Sequence, residues 1–336
     1  MQVSSHALST AARFARIIPL AATLAVAALV WLGPSGVTLC RAADNKKSDK
    51  DELPKPEDVL LRTDDGVQIA ATYYRGTKGK ETIPVVVLHG WKQNRSEMRE
   101  LALALQAQGH AVVAPDLRGH GESTRRRGGK DERLDAAKMP PSQFSLMVYQ
   151  DMKAVKDFLW ERNNAGELNL DKLCIVGADM GASVALDFAA YDATAYDGPT
   201  LYYGPLKLGR FVKALVLISP KLTLPGLPLN QAARVPAVQR DIAMMIVVGK
   251  EDPKELPEAK RVHGLFKTYH IEPTGPNKTD EQTLFFIPLP TSLQGTKLLD
   301  QKFNLQAGIA DFIDRRLVKS EESRDWTWKE RKFPHQ

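Results

Sequence analysis

Cys174-Ile175-Val176-Gly177-Ala178-Asp179-Met180-Gly181-Ala182 is the stretch from which the fold is read. It continues an apolar run over 173–176, short and closed by glycine, which reads as a strand buried on both faces. Helical spacing follows over 181–190, so strand passes to helix across a few residues centred on Asp179. The same grammar extends outward. Apolar runs over 85–88, 111–114, 212–218, 242–248 and 283–287 predict strands. Helical spacing over 97–108 (with Gly109 as stop), 144–162, 257–269 and 303–317 fills the intervals. Upstream, the segments 59–62 and 67–74 flank Asp64-Asp65-Gly66, a hairpin signal that opens the fold with an antiparallel pair. Alternating apolar strands and amphipathic helices predict an α/β protein with a mostly parallel sheet covered on both faces. Its sites are then expected at the carboxyl ends of the strands.

The 336 residues, 43% hydrophobic and 26% charged, have the profile of a folded protein. Residues 1–43 hold Arg13, Arg16 and Arg41 and no acid, so the remainder has a net charge of only +3. That excludes a phosphate-tracking surface, and no nucleic-acid partner is expected. The run Arg125-Arg126-Arg127 with Lys130 and Arg133 sits among glycines and acids and reads as a solvated loop. In segment 1–43, Arg13 and Arg16 precede an apolar stretch over 17–32, the pattern of a signal peptide and export to a periplasmic or extracellular space. The uncharged run 17–40 is also long enough to stay as a membrane anchor. With that segment removed, Cys174 is the one remaining cysteine and no internal disulfide forms. Residues 44–58 read as a charged linker, 59–317 as one domain and 318–336 as a charged tail, its Trp326, Trp328 and Phe333 packing back on the domain. Two irregular stretches, 191–210 and 221–240, fit either surface connections or a small cap.

Two further segments join the first: Val85-Val86-Val87-Leu88-His89-Gly90-Trp91 and Pro115-Asp116-Leu117-Arg118-Gly119-His120-Gly121-Glu122-Ser123. In this order the three resemble the α/β-hydrolase superfamily, the second segment most like its serine aminopeptidase S33 and esterase/lipase branch. The resemblance spans nearly the whole chain after the linker. It implies a nucleophile elbow at position 179, with Gly177 and Gly181 leaving room between strand and helix. The turn His89-Gly90 would present the Trp91 amide as one oxyanion donor, and the Met180 amide would be the other.

The chain departs from that pattern at the chemistry. Asp179 stands where esterases and peptidases of the family carry serine. A carboxylate there resembles the family's haloalkane dehalogenases and epoxide hydrolases, which attack an alkyl carbon and then need a His-activated water. The base is expected after the last strand, yet none of the seven histidines lies between Thr283 and Lys332. Gln294 aligns with the missing base and cannot take up a proton. Asp252, in Gly249-Lys250-Glu251-Asp252-Pro253, matches the acid position and keeps only the role of acceptor for Gln294 or a loop amide. No Cys/His cluster, P-loop or dinucleotide motif is present, so no metal or cofactor is implied. These residues imply an exported hydrolase-fold protein that has lost hydrolysis and binds an unidentified small ligand or partner. The alternatives are an active ester or peptide hydrolase and an Asp-nucleophile hydrolase of haloalkane or epoxide type.

Overall fold

The computed structural model describes residues 52–126, 133–195, 208–227, 229–274, 276 and 278–331. The expected targeting segment, most of the linker, and residues 127–130 of the basic run lie outside the described residues, as do 196–207 and the end of the tail.

Eight strands form one sheet: β1 (Glu57–Arg62), β2 (Gln68–Tyr74), β3 (Pro84–Leu88), β4 (Ala111–Pro115), β5 (Leu173–Ala178), β6 (Val212–Ile218), β7 (Ala243–Gly249) and β8 (Leu284–Leu289). Their spatial order is β1-β2-β4-β3-β5-β6-β7-β8. The β1–β2 hairpin and the β2–β4 pair are antiparallel, and every later pair is parallel. Strand β1 begins inside what reads as linker, because Glu57 and Asp58 continue the pairing with Tyr73 and Thr72.

Nine α-helices are present among the described residues: α1 (Arg99–Ala107), α2 (Pro141–Leu146), α3 (Met152–Asn164), α4 (Met180–Thr194), α5 (Leu229–Ala232), α6 (Pro236–Arg240), α7 (Glu255–Lys267), α8 (Lys278–Glu281) and α9 (Leu305–Asp314). The single helix expected over 144–162 is divided by a π turn, Met147–Asp151, that ends on a buried carboxylate. Asp151 accepts from the Arg118 backbone (2.9 Å) and from its guanidinium (2.8 and 2.7 Å), a polar demand that hydrophobic periodicity does not reveal.

The period of two along the strands decides which side chains meet which helices. On β5, Leu173 and Ile175 face a core shared with α3, α4 and α7, through Leu159, Val184, Phe188 and Phe266. Cys174, Val176 and Ala178 face the opposite core, with Leu101 and Leu105 of α1 and Ile309 and Phe312 of α9. Helices thus cover both faces and leave the carboxyl ends of β3, β5, β6 and β7 as the place where loops converge. The tail returns to the domain, with Trp328 Nε1 donating to Asn163 O (3.0 Å) and Arg331 pairing with Asp171.

Candidate active site

Asp179 lies between β5 and α4 at φ 51° and ψ −114°, a conformation a non-glycine side chain tolerates only under constraint. The constraint comes from both sides. Asp179 N donates to Ile218 O (2.9 Å), prolonging the sheet, while its carbonyl accepts from Ala182 N (3.1 Å) in the first turn of α4. A Cβ on Gly177 would lie 2.2 Å from Gly181 O, and one on Gly181 would lie 2.6 Å from His89 O. Both glycines are therefore required by close backbone approach. Ser219, which lines the same cavity, also has a positive φ (49°).

The turn after β3 is held by His89, buried at its base. Leu117 N donates to His89 Nε2 (3.1 Å), so Nδ1 carries the proton and donates to Gly90 O (2.8 Å). Burial drives this imidazole down to about 4, which keeps it neutral. In a trans peptide the carbonyl and the following N–H point in opposite directions. Fixing Gly90 O therefore aims the Trp91 N–H, which donates to Asp179 Oδ2 at 3.3 Å. Gln93 joins this turn to the segment after β8, accepting from Gly90 N (2.9 Å) and donating to Thr296 Oγ1 (2.8 Å). Met180 is buried at the start of α4, where its amide is one of the first-turn donors that helix geometry leaves without an intrahelical acceptor.

The other carboxylate oxygen of Asp179 meets a cation that the sequence reading did not single out. Lys221 Nζ lies 2.8 Å from Asp179 Oδ1 and 3.7 Å from Glu255 Oε1. Burial by itself would lower the Lys221 ammonium, but the Asp179 hydrogen bond and the two carboxylate charges outweigh it and hold it above the ordinary lysine value. Burial, together with the Asp179 charge, holds the Glu255 carboxyl above its ordinary value against the pull of Lys221. Glu255 Oε2 is buried with no hydrogen-bond partner among the described residues.

Gln294 occupies the same cavity, with both ends of its amide engaged. Its Oε1 accepts from Ser219 Oγ (2.7 Å) and Gly249 N (3.2 Å), and its Nε2 donates to Gly249 O (2.9 Å). Gly295 N closes the arrangement on Ser219 Oγ (2.9 Å). Asp252 lies apart from Gln294. Its Oδ1 accepts from the amides of Lys254 (2.8 Å) and Glu255 (3.0 Å), which cap the start of α7 and hold the carboxyl below the usual range. Beside Asp179, the acidic group that lines the cavity is Glu255, one turn beyond Asp252.

Trp91, Gln93, Asp179, Ser219, Lys221, Glu255, Gln294 and Gly295 enclose about 190 Å³, with no imidazole in the lining. Among the described residues no cluster of His, Cys, Asp and Glu is arranged to hold a metal. The structure thus brings together Asp179, the Trp91 amide and Gln294, with His89, Gly90, Gly177 and Gly181 as their support, and leaves Asp252 outside. Lys221 and Ser219 were missed because the reading of β6 ended with its apolar run. Their places one and three residues beyond the carboxyl end of β6 were the signal available.

Comparison with known proteins agrees with this fold. An uncharacterised protein of Mycobacterium tuberculosis is 27% identical over 181 residues, 52% of this chain and 57% of that protein. A soluble epoxide hydrolase of Corynebacterium sp. is 36% identical over 109 residues, 32% of this chain and 30% of its own length. The chain therefore spans about half the length of the first relative and less of the second. An esterase of Pyrococcus furiosus superposes with a TM-score of 0.53 at 17% identity, over 78% of this chain and 91% of that one. Dienelactone hydrolase from Anabaena variabilis gives 0.52 at 15% identity, over 80% and 99%. The two structures share the fold, and the alpha/beta hydrolase family pattern itself matches residues 85–323. On that match, which takes in the His89–Trp91 turn, Asp179 and the last strand, the chain belongs to the alpha/beta hydrolase family.

Proposed function

We propose that this chain is an exported, non-hydrolytic member of the family, nearest in its loop motif to the serine aminopeptidase S33 and esterase/lipase branch, whose cavity binds a small ligand. The observation that carries this reading is the state of Asp179. One oxygen is neutralised by Lys221 and the other takes the Trp91 amide, so the side chain at the nucleophile position occupies the donor meant for the substrate's developing charge. Gln294 supplies no base, and both ends of its amide are already engaged. Hydrolysis by a covalent route needs a nucleophile free to attack and a base to activate water for release. The N-terminal segment 1–43 supports export.

A second reading rests on Asp179 together with the partial match to an epoxide hydrolase. Here the carboxylate opens an epoxide, forming an ester whose hydrolysis then lacks a base and stalls. One experiment separates the readings: the purified protein is incubated with activated acyl esters and with styrene oxide, following turnover by absorbance and Asp179 by intact mass and peptide mapping. Silence in both arms is expected. Ester turnover abolished by Asp179→Ala would overturn the non-hydrolytic reading, and a stable styrene oxide adduct on Asp179 would establish the second. The mass of the exported chain, with residues 1–43 missing, tests the localisation.

A further inference from the structure

A second cavity, of about 200 Å³, lies beside α4 and shares no lining residue with the Asp179 site. Asp187, Tyr191 and Thr194 follow one another along one face of α4 and form one wall. Ser145 and Tyr149, from the α2 segment and its π turn, form another, and Gln231 of α5 a third. The Asp187 side chain is the anomaly. It is 8% exposed, both carboxyl oxygens are buried, and neither has a hydrogen-bond partner among the described residues.

Buried carboxyls in folded proteins are paired or hydrogen-bonded, because an isolated one costs several kcal/mol to remove from water. Among the described residues no charged group compensates this one. Lys156 of α3 reaches Leu208 O (3.2 Å) and Asp192 Oδ1 (3.8 Å) instead, and burial alone pushes the Asp187 carboxyl up to about 7. Around it the surface is amphipathic. Tyr149 and Tyr191 meet edge to face with ring centroids 5.2 Å apart, and Tyr149 is 48% exposed at the rim. A recessed acceptor beside two aromatic faces suits an organic cation, which needs a counter-charge for its N–H donors and π faces for its body.

We propose that this cavity is a binding site for small organic ammonium ions, with Asp187 as the counter-charge and Tyr149 and Tyr191 as the aromatic wall. The volume limits the ligand to about seven water-sized groups, a single ring with a short ammonium arm. The site does not depend on the chemistry at Asp179, so it holds or fails separately from the reading given above.

The test is calorimetric titration of the full chain with benzylammonium at about pH 8, with benzyl alcohol as the neutral counterpart. Saturable one-to-one binding of benzylammonium is expected, with no measurable binding of the alcohol. Asp187→Asn, which keeps the side-chain volume, should weaken binding by at least about tenfold, and Tyr149→Ala, at an exposed position, should weaken it several-fold. Asp179→Asn should leave it unchanged. Absence of binding up to about 10 mM, equal affinity for the alcohol, or full retention in Asp187→Asn would each overturn the proposal. Loss in Asp179→Asn with retention in Asp187→Asn would place the amine in the other cavity and overturn it as well.

Discussion

Asp179→Ser combined with Gln294→His restores the two side chains that ester hydrolysis on this fold requires, and the structure limits how much activity they can recover. A Cβ on Gly295 would lie 3.8 Å from Asp179 Cβ, so the segment carrying Gln294 is already beside the elbow. Removing the carboxylate also frees the Trp91 amide that now donates to it. A third group remains absent. Asp252 Oδ1 accepts from the amides of Lys254 and Glu255, and Glu255 is shared with Lys221, so neither carboxylate is positioned in advance to fix the tautomer of the new imidazole. Loss of an entire serine triad costs about 10⁶ in rate, and loss of the acid alone about 10⁴. A nucleophile and base without their acid should therefore run about 10²-fold above Asp179→Ala, and about 10⁴-fold below a complete triad. The assay is p-nitrophenyl acetate hydrolysis by the double variant, both single variants and Asp179→Ala, with fluorophosphonate labelling of the new serine. A folded double variant no faster than Asp179→Ala would refute the placement of Gln294 or the oxyanion geometry. Equal activity in Gln294→His alone would refute the assignment of position 179.

Two further substitutions read the electrostatics. Asp187 takes its proton at about 7 in the folded chain against 3.8 for an ordinary aspartate. The native state therefore binds that proton more tightly across this window, and stability falls as pH rises through it. Asp187→Asn removes the effect, so it should stabilise the ligand-free protein by up to about 4 kcal/mol at pH 8 and by almost nothing at pH 4; an equal gain in urea unfolding at both values would count against a buried ionised carboxylate. Lys221→Met leaves Asp179 and Glu255 facing one cavity without their ammonium, on a pair that is partly exposed. A loss of about 1 kcal/mol is expected at neutral pH, shrinking as the medium is acidified and Glu255 takes up a proton. A loss that does not change with pH would mean that the Lys221 stem packs the cavity and its charge matters little.

Much of this architecture was legible in the chain itself. Apolar runs of strand length, glycine stops and helical spacing are local signals, and they placed the strands within a residue or two. The elbow was legible for a related reason. Gly177, Asp179 and Gly181 lie within one turn of chain, where the bar to side chains on the flanking residues comes from backbone geometry. The lack of a histidine between Thr283 and Lys332 was legible too, because counting histidines requires no coordinates. What the sequence could not supply was the partner of each charged side chain. Lys221 reaches Asp179 only because β5 and β6 are neighbours in register. Glu255 lines the cavity, whereas Asp252 Oδ1 accepts the amides of Lys254 and Glu255 at the start of α7, a division set by how that turn folds. The π turn before α3 and the unpartnered Asp187 depend in the same way on which distant surfaces close over them. Backbone pattern is decided by neighbours along the chain. The pairing and desolvation of charges are decided by neighbours in space, and only the folded structure brings those together.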